Sequence, residues 1–481
     1  FIKTINDKRF NWCFKTEASQ EVNNREIFFP RGKGFGGSGS INGHLYVRGQ
    51  PDDYNQWAQL GNLGWGYDDI LPYFKKSENR AGGNEAYRGK DGPLFVTDIV
   101  EKHPICEEFI NGSKELNVPL QEDYNSGNQE GIFYYQRTIK NGMRFSASDA
   151  FLKPALKRKN VEIYSNTMVL KIIFKNKKAV GLVCKKNNKK FEIYAEKEII
   201  LCAGAIGTPH LLQVSGIGNP EHLKNIGVST LHESKNIGEG LQDHYAVRVS
   251  NSINKPVSLN ERARGYKLAL EVMKWIFFKK GLLSYSPAHV GAFLKSSPAI
   301  DFPDLQFVFT PASYSEGMIG KLQNTPGITC GVWQSRPHSR GYVKAVSNDI
   351  NVPPLIQPNY LKEKIDQDLM IEGVKRCRAL LKTSNIDQIS IKENLPGKNI
   401  KTDKEILDFI RNNGGTVYHA IGSCRMGMDK CAVVNSELKV NGIQNLRIAD
   451  ASIMPTMPSG NTNAATMMIA EKASDLIKKD L

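Results

Sequence analysis

The sequence predicts a mixed α/β (α+β) protein of two domains, one with Rossmann-like parallel strands and one built on an antiparallel sheet and helices. Three segments carry that expectation: a glycine-rich loop at 30–43, a strand–turn–helix pattern at 198–218, and a capped amphipathic helix at the carboxyl end. At 481 residues with 40% hydrophobic residues, the chain is long enough for a large core and for two domains.

The loop at 30–43 reads PRGKGFGGSGSING. Gly32, Gly34, Gly36, Gly37, Ser38, Gly39 and Ser40 carry little bulk, and Asn42 adds an amide, so backbone N–H groups can approach a large anion. Spacing alone fits a surface turn equally well. Residues 66–76 predict a short helix and 141–156 a loop leading to another. From 161 to 204 the pattern turns to strands: VEIYS, MVLKIIF, AVGLVCKK and FEIYA, broken by Asn- and Lys-rich turns, predict an antiparallel meander. EIILCAGA follows as a nearly continuous apolar run, the pattern of a strand buried on both faces. That strand is expected to end at Cys202, turn through Ala203, Gly204 and Ala205, and enter a helix near Ile206–Pro209 with proline in its first turn. This is nucleotide-site geometry at the carboxyl end of a parallel sheet, and an ordinary crossover fits it as well.

The stretch from about 249 to 416 lacks such loops. A helix near Lys267–Lys280, a strand at 305–310 and a helix through Asp366–Leu381 predict a separate covering layer. At the carboxyl end, Ala464, Met467, Met468, Ala473, Leu476 and Ile477 recur at helical spacing behind Gly460-Asn461-Thr462-Asn463. Free N–H groups and the positive end of the helix dipole there favour negative charge.

Several classes are excluded. The net charge of +15 comes from lysines scattered among acids and amides, which argues against nucleic acid as a partner. No apolar run reaches the roughly 18 to 20 residues of a membrane span; the nearest is the amphipathic stretch around Trp275, Ile276, Phe277 and Phe278. Eight scattered cysteines without a CxxC pair argue against a zinc site and a dense disulfide scaffold. A serine hydrolase lacks its GxSxG elbow. His44, His210 and His244 read as structural histidines, and Trp57, Trp65 and Tyr46 as channel wall or as packing.

Taken together, PRGKGFGGSGSIN, CAGAIGTPHLLQVSGIG and YHAIGSCRMG with ADASIMP and GNTNAATMMIAEKASDLI resemble the glucose-methanol-choline (GMC) family of FAD-dependent oxidoreductases. GEGLQDH at 238–244 and the 336–360 segment are similar to its insect, glucose dehydrogenase-like branch. The resemblance implies oxidation of a CH–OH donor (an alcohol, sugar or sterol) by hydride transfer to flavin N5, with quinone or O2 as electron acceptor. On the family's motifs, His419 is the base and Asn461 the hydrogen-bonding partner of the substrate oxygen. The same carry-over assigns FAD contacts to Arg31, Gly36, Gly37, Ser38, Asn42, Val169, Ala203, Gly204, Asp450, Ala451, Asn461 and Thr462. Some relatives tether FAD through a histidine where this chain has Ile41, so the expectation is non-covalent FAD. The implied division is 1–44, 160–248 and 417–481 for the FAD-binding domain, and 45–159 and 249–416 for the substrate-binding domain. The family's GxGxxG segment is not found ahead of Pro30, which suggests an amino-terminally truncated chain that binds FAD weakly, or a non-catalytic paralogue as the alternative. The resemblance also suggests secretion, although the chain carries no signal peptide.

Overall fold

Alternating apolar residues and asparagine turns build the first sheet of the computed structural model, which describes residues 2–255, 257–315 and 321–480. Strand β1 spans Gly131–Tyr134. Strands β2 (Met168–Lys175), β3 (Lys178–Lys186) and β4 (Lys189–Tyr194) form the expected antiparallel meander. Asn187 and Asn188 both take positive φ between β3 and β4, as a two-residue hairpin of type I′ requires. The segment VEIYS forms no strand. Its Tyr164 ring rests on Phe191 at 6.1 Å, and the meander's three strands form without it.

Strand β5 (Ile199–Leu201) turns Ile199 and Leu201 into the core but leaves Ile200 38% exposed, so the expectation of burial on both faces fails there. Helix α1 spans Tyr67–Ser77, and α2 (Gly204–Val214) begins two residues earlier than expected and places Pro209 inside it. Proline has no N–H to give to the carbonyl four residues back. Ser423 supplies the donor instead, its Oγ–H reaching the Ala205 carbonyl at 2.6 Å.

The largest sheet has seven antiparallel strands. These are β6 (Tyr245–Ile253), β7 (Val290–Leu294), β8 (Leu305–Thr310), β9 (Gly327–Gln334), β10 (Ser390–Leu395), β11 (Gly415–Thr416) and β1. Its order is β10–β6–β9–β8–β7–β1, with β11 pairing β6 beside β10. Phe307 and Val332 stand opposite one another across β8 and β9, in the same core as Met370, Val374 and Cys377 of helix α4 (Lys364–Leu381). Helix α3 (Gly265–Phe278) lies earlier in the chain. At Gly373 a Cβ would come within 2.9 Å of Val332, so the helix sits close to the sheet because that residue is glycine. One register step along, Phe293, Gln306, Trp333 and Ala246 form a row across the sheet, and strand alternation turns this row to the opposite face.

Strand β12 (Leu446–Ile448) pairs in parallel with β5, and helix α5 (Thr462–Lys479) closes the chain. Helices α1 and α5 share a core that contains Ile70, Phe74, Ala465 and Met468. Trp57, Trp65 and Tyr46 are buried in that core, the two indoles donating to Thr456 and Ser436; they pack rather than line a channel. All eight cysteines are free.

Candidate functional site

Two of the sequence-predicted segments meet at the carboxyl ends of the parallel pair β5 and β12. Ala203 and Gly204 follow β5, Asp450 and Ala451 follow β12, and the Gly204 N–H donates to Asp450 Oδ2 at 2.9 Å. That oxygen also accepts from Thr208 Oγ at 2.6 Å, and Oδ1 from the Ser452 N–H at 2.8 Å. Both carboxylate oxygens of Asp450 are thus engaged in shaping the turn. Gly204 has φ +78, and a Cβ there would meet nothing within 4 Å, so the backbone looks onto open space. Val169 lies on β2 opposite Cys184, partly buried against the same core.

The glycine loop folds into a short turn over Gly37–Ser40, with Gly36 at φ +82 and Gly37 at φ +53. A methyl on Gly32 would overlap the Gly37 carbonyl, while the Gly32 N–H donates to Ser38 Oγ at 3.0 Å. At Gly34 and Gly37 a Cβ would again meet nothing within 4 Å. Gly39 abuts the first turn of α5, where its Cβ would stand 3.3 Å from Asn463 Nδ2. Asn42 braces the loop: its Oδ1 accepts from Arg144 at 2.8 Å and from the His44 N–H at 3.0 Å, and its carbonyl accepts from Arg144 at 2.6 Å.

His419 is buried and sits at the centre of a hydrogen-bonded chain that ends on a main-chain carbonyl on each side. On one side its Nδ1 lies 2.9 Å from His244 Nδ1, and His244 Nε2 lies 2.8 Å from the Ser335 carbonyl. On the other, His419 Nε2 lies 3.0 Å from Asn461 Nδ2. Asn461 Oδ1 accepts from Gln306 Nε2 at 3.2 Å, which also donates to Tyr135 at 3.0 Å, whose hydroxyl donates to the Phe307 carbonyl at 2.9 Å.

A carbonyl only accepts, so His244 carries its proton on Nε2 and offers a lone pair at Nδ1. His419 must therefore carry its proton on Nδ1 and keep Nε2 unprotonated. The other end gives the same answer, because an amide nitrogen only donates and Asn461 presents Nδ2 to His419 Nε2. Both rings are held neutral. Burial lowers the His419 pKa well below the ordinary histidine value, with His244 and Arg31 adding to the effect, and burial takes His244 down to about 4.

Asp243 fixes the backbone behind this pair. Its Oδ1 accepts from the His419 N–H at 2.6 Å, and its Oδ2 accepts from the Thr416 and Tyr360 hydroxyls. Burial raises its pKa, opposed chiefly by the positive charge of Arg31. Burial also lowers the Arg31 pKa, and Nε and Nη2 of its guanidinium find no partner among the described residues. The Trp333 indole N–H and the Gln306 Oε1 are likewise buried and unpartnered. Trp333 packs 6.3 Å from His419, ring to ring.

The sequence reading missed this arrangement in part, treating His244 as structural. GEGLQDH carried the signal, since consecutive Asp243 and His244 reach the main chain and the ring of one histidine. His44 and His210 stay outside the chain just described; burial lowers their pKa values to about 3 and about 4.

An anionic cofactor with a diphosphate fits these residues: Gly34, Gly37 and Gly204 open onto free space, and a buried guanidinium has two donors left over. Fold and site together combine an open glycine turn at the end of a parallel strand pair with a buried, neutral imidazole unprotonated at Nε2. The chain belongs to the GMC oxidoreductase family: its two family models match residues 14–246 and 337–470. Membership makes FAD the cofactor and a CH–OH group the donor.

Human mitochondrial choline dehydrogenase is 37% identical over 480 residues, covering 99% of this chain and 80% of that protein. An alcohol dehydrogenase [acceptor] of Pseudomonas putida is 37% identical over 479 residues, covering 98% of this chain and 86% of that one. Among solved structures, pyridoxine 4-oxidase from Mesorbium loti aligns with a TM-score of 0.88 at 28% identity, covering 98% of this chain and 89% of that one. A formate oxidase has the same fold, with a TM-score of 0.93 at 24% identity over 100% and 90% of the two chains. The two relatives matched by sequence are a choline and an alcohol dehydrogenase, which corrects the expectation of an insect glucose dehydrogenase-like protein.

Proposed function

We propose that the chain oxidises a small primary alcohol, of the choline or aliphatic class, with His419 Nε2 as the base that takes the hydroxyl proton and with FAD held non-covalently. The observation that carries this reading is the lone pair fixed on His419 Nε2 by two main-chain carbonyls. FAD, when bound, supplies the acceptor for the hydride that leaves the carbinol carbon.

In the structure as it stands, the Asn461 amide occupies the His419 lone pair. A substrate hydroxyl that donates to Nε2 takes its place and frees Asn461 Nδ2 to donate to the same oxygen. As the proton moves to Nε2, the ring becomes cationic between His244 and Asn461, and His244 continues to accept from Nδ1. The buried Arg31 and the amino end of α5 bring positive charge that would favour negative charge on a bound cofactor. Gly36, Gly37, Ser38, Ala203, Gly204 and Thr462 would hold the diphosphate and flavin ends, with Val169 near the adenine. Arg31, Asn42, Asp450 and Ala451 shape that cradle. Ile41 offers no nucleophile for a covalent tether. We assign the glycine loop, the meander and the carboxyl segment to cofactor binding and the seven-stranded sheet to the substrate side, following the domain division of the sequence analysis.

The choice of alcohol rests on the choline and alcohol dehydrogenase relatives, and the acceptor is a quinone or O2. An intact polar chain through His419 argues against a non-catalytic paralogue. The test is anaerobic reduction of the FAD-loaded protein by choline and by a series of aliphatic alcohols. His419→Ala is expected to slow flavin reduction by roughly 10² to 10⁴-fold while leaving the flavin bound. Unchanged reduction in that variant would overturn the base assignment.

A further inference from the structure

Helix α3 is turned inside out. Tyr266, Leu270, Met273 and Phe277 follow one another at spacings of four, three and four residues, so they form a single stripe along the helix. Such a stripe ordinarily faces the core, yet here these residues are 75%, 52%, 46% and 73% exposed. The buried side chain of this helix is Glu271, an acid.

The orientation is pinned by polar contacts on the inner face. Glu271 Oε1 accepts from Arg262 at 2.9 and 2.6 Å, and Oε2 from the Leu282 N–H at 2.7 Å. The Trp275 indole donates to the Gly142 carbonyl at 3.1 Å, and Lys274 pairs with Glu101 at 2.8 Å. Rolling the stripe inward would strand Glu271 and Arg262, so the outward apolar face is the built state of this helix. The apolar surface continues past the helix end: Phe278 and Leu283 are exposed, as are Val100 beside Glu101 and Met143 beside Gly142. Scattered exposed apolar residues need no explanation, but a contiguous stripe does.

The charges left exposed on the helix itself are of one sign. Lys267 and Lys280 are exposed on the helix and just beyond it, and Lys279 stands over the Trp275 ring at 4.2 Å. Glu271 and Glu101, the acids that meet this helix, are both engaged inward with Arg262 and Lys274. In a two-fold contact between copies the same patch meets itself, which would oppose lysine to lysine. An apolar stripe rimmed by lysine instead matches a surface that is apolar inside and negative outside.

We propose that α3 is a peripheral docking surface for an anionic phospholipid bilayer, with Phe277 and Phe278 inserted at the headgroup boundary and Lys267, Lys279 and Lys280 at the phosphates. No helix among the described residues is long and apolar enough to cross a membrane, so the contact lies in the plane of the interface. The surface is joined to the site by one short path. Trp275 holds Gly142, and Arg144 two residues on braces Asn42 of the glycine loop. Docking therefore places the cofactor side of the protein near the lipid.

The test is co-sedimentation of the purified FAD-loaded protein with vesicles of equimolar phosphatidylcholine and phosphatidylglycerol, and with phosphatidylcholine alone. Partition is expected into the anionic vesicles, weaker by about tenfold into the neutral ones and reduced by added salt. Phe277→Ser with Phe278→Ser is expected to cut partition at least about tenfold, with the melting temperature and the turnover of a soluble acceptor unchanged. Lys267→Ser with Lys280→Ser is expected to abolish the preference for the anionic vesicles. The proposal is overturned if the wild-type protein stays in the supernatant at low salt, or if the Phe pair partitions as well as the wild type. It is also overturned if light scattering shows a dimer that the Phe pair dissociates, which would make the face a contact between copies.

Discussion

The Nδ1 atoms of His244 and His419 stand 2.9 Å apart, and the Ser335 carbonyl behind His244 decides which of them holds the proton between them. His244 acts as a positioning residue: it touches neither the nucleotide cradle nor the Asn461 side of His419, yet it sets the tautomer that leaves Nε2 free. His244→Ala removes the acceptor at Nδ1, leaving the Asn461 amide alone to hold the tautomer, and lets the His419 proton move to Nε2 as that amide turns its oxygen to the ring. The expected outcome is a fall in kcat of roughly 10²-fold with KM little changed, since binding contacts are untouched. A purely structural role would lower thermal stability and leave the tautomer alone. Nitrogen-15 shifts of the His419 ring check the assignment directly; an unprotonated Nε2 persisting in the variant would refute it.

Buried neutral histidines make the protein acid-labile. Burial depresses the pKa of His44 and His289 to about 3, and of His103, His210 and His244 to about 4. Unfolded, each would titrate near the ordinary 6.5. Between that value and the folded value the unfolded chain binds the proton and the folded one does not, so stability rises with pH across this window. Stability is therefore whole above about pH 6.5 and lost as pH falls towards 4, on the order of 2 kcal/mol per histidine by pH 5. A handful of such groups matches the 5 to 15 kcal/mol that holds a typical domain folded. Melting temperatures between pH 7.5 and 4.5 should drop steeply below 6.5, and a flat profile to pH 5 would contradict the burial of these rings.

The glycine cluster at 30–43 was legible as a tight turn, although its spacing alone fits a surface turn as well. The loop at 30–43, the turn at Ala203–Gly204 and the Asp450–Ala451 segment each announce a close backbone approach, and the last two do meet. His419 and Asn461 were legible through family motifs, and the structure brings them within 3.0 Å. What stayed hidden was long-range. No local pattern shows that Gln306 and Trp333, on two different strands, fall opposite each other in register. Nor does periodicity reveal which way a helix faces: α3 carries an ordinary apolar stripe, and only the Glu271–Arg262 pair shows that it points outward. VEIYS failed for the same reason, since a strand needs a partner as well as alternation.

Gly32→Ala tests the cradle without touching any proposed catalytic side chain. The added methyl overlaps the Gly37 carbonyl, and the loop must shift the turn at Gly37–Ser40 that faces open space. The far-UV spectrum and the seven-stranded sheet should survive, because the loop lies outside it. FAD affinity is expected to fall by on the order of a hundredfold, read by release of flavin fluorescence on dilution. Gly34→Ala is the control for crowding, since a Cβ there meets nothing within 4 Å, although its φ of +131 still costs some strain. Equal flavin retention in wild type and Gly32→Ala would show that the loop is not the diphosphate site.

Pro209 and Ser423 form the last coupled pair. Pro209 deprives the Ala205 carbonyl of its helical N–H, and Ser423 Oγ–H replaces it at 2.6 Å in a buried setting. The bond also ties α2, which follows the Ala203–Gly204 turn, to the segment that bears His419. Ser423→Ala leaves the carbonyl without a donor and should cost about 1 to 3 kcal/mol in urea unfolding. Pro209→Ala restores an N–H at the right position in the helix. In the Ser423→Ala background it should therefore recover about 1 kcal/mol, whereas in the wild type it adds a donor to a carbonyl already satisfied. The double-mutant cycle isolates the coupling because each single change removes or restores the same donor. Strict additivity of the two substitutions would mean that the hydroxyl is not standing in for the missing helical hydrogen bond.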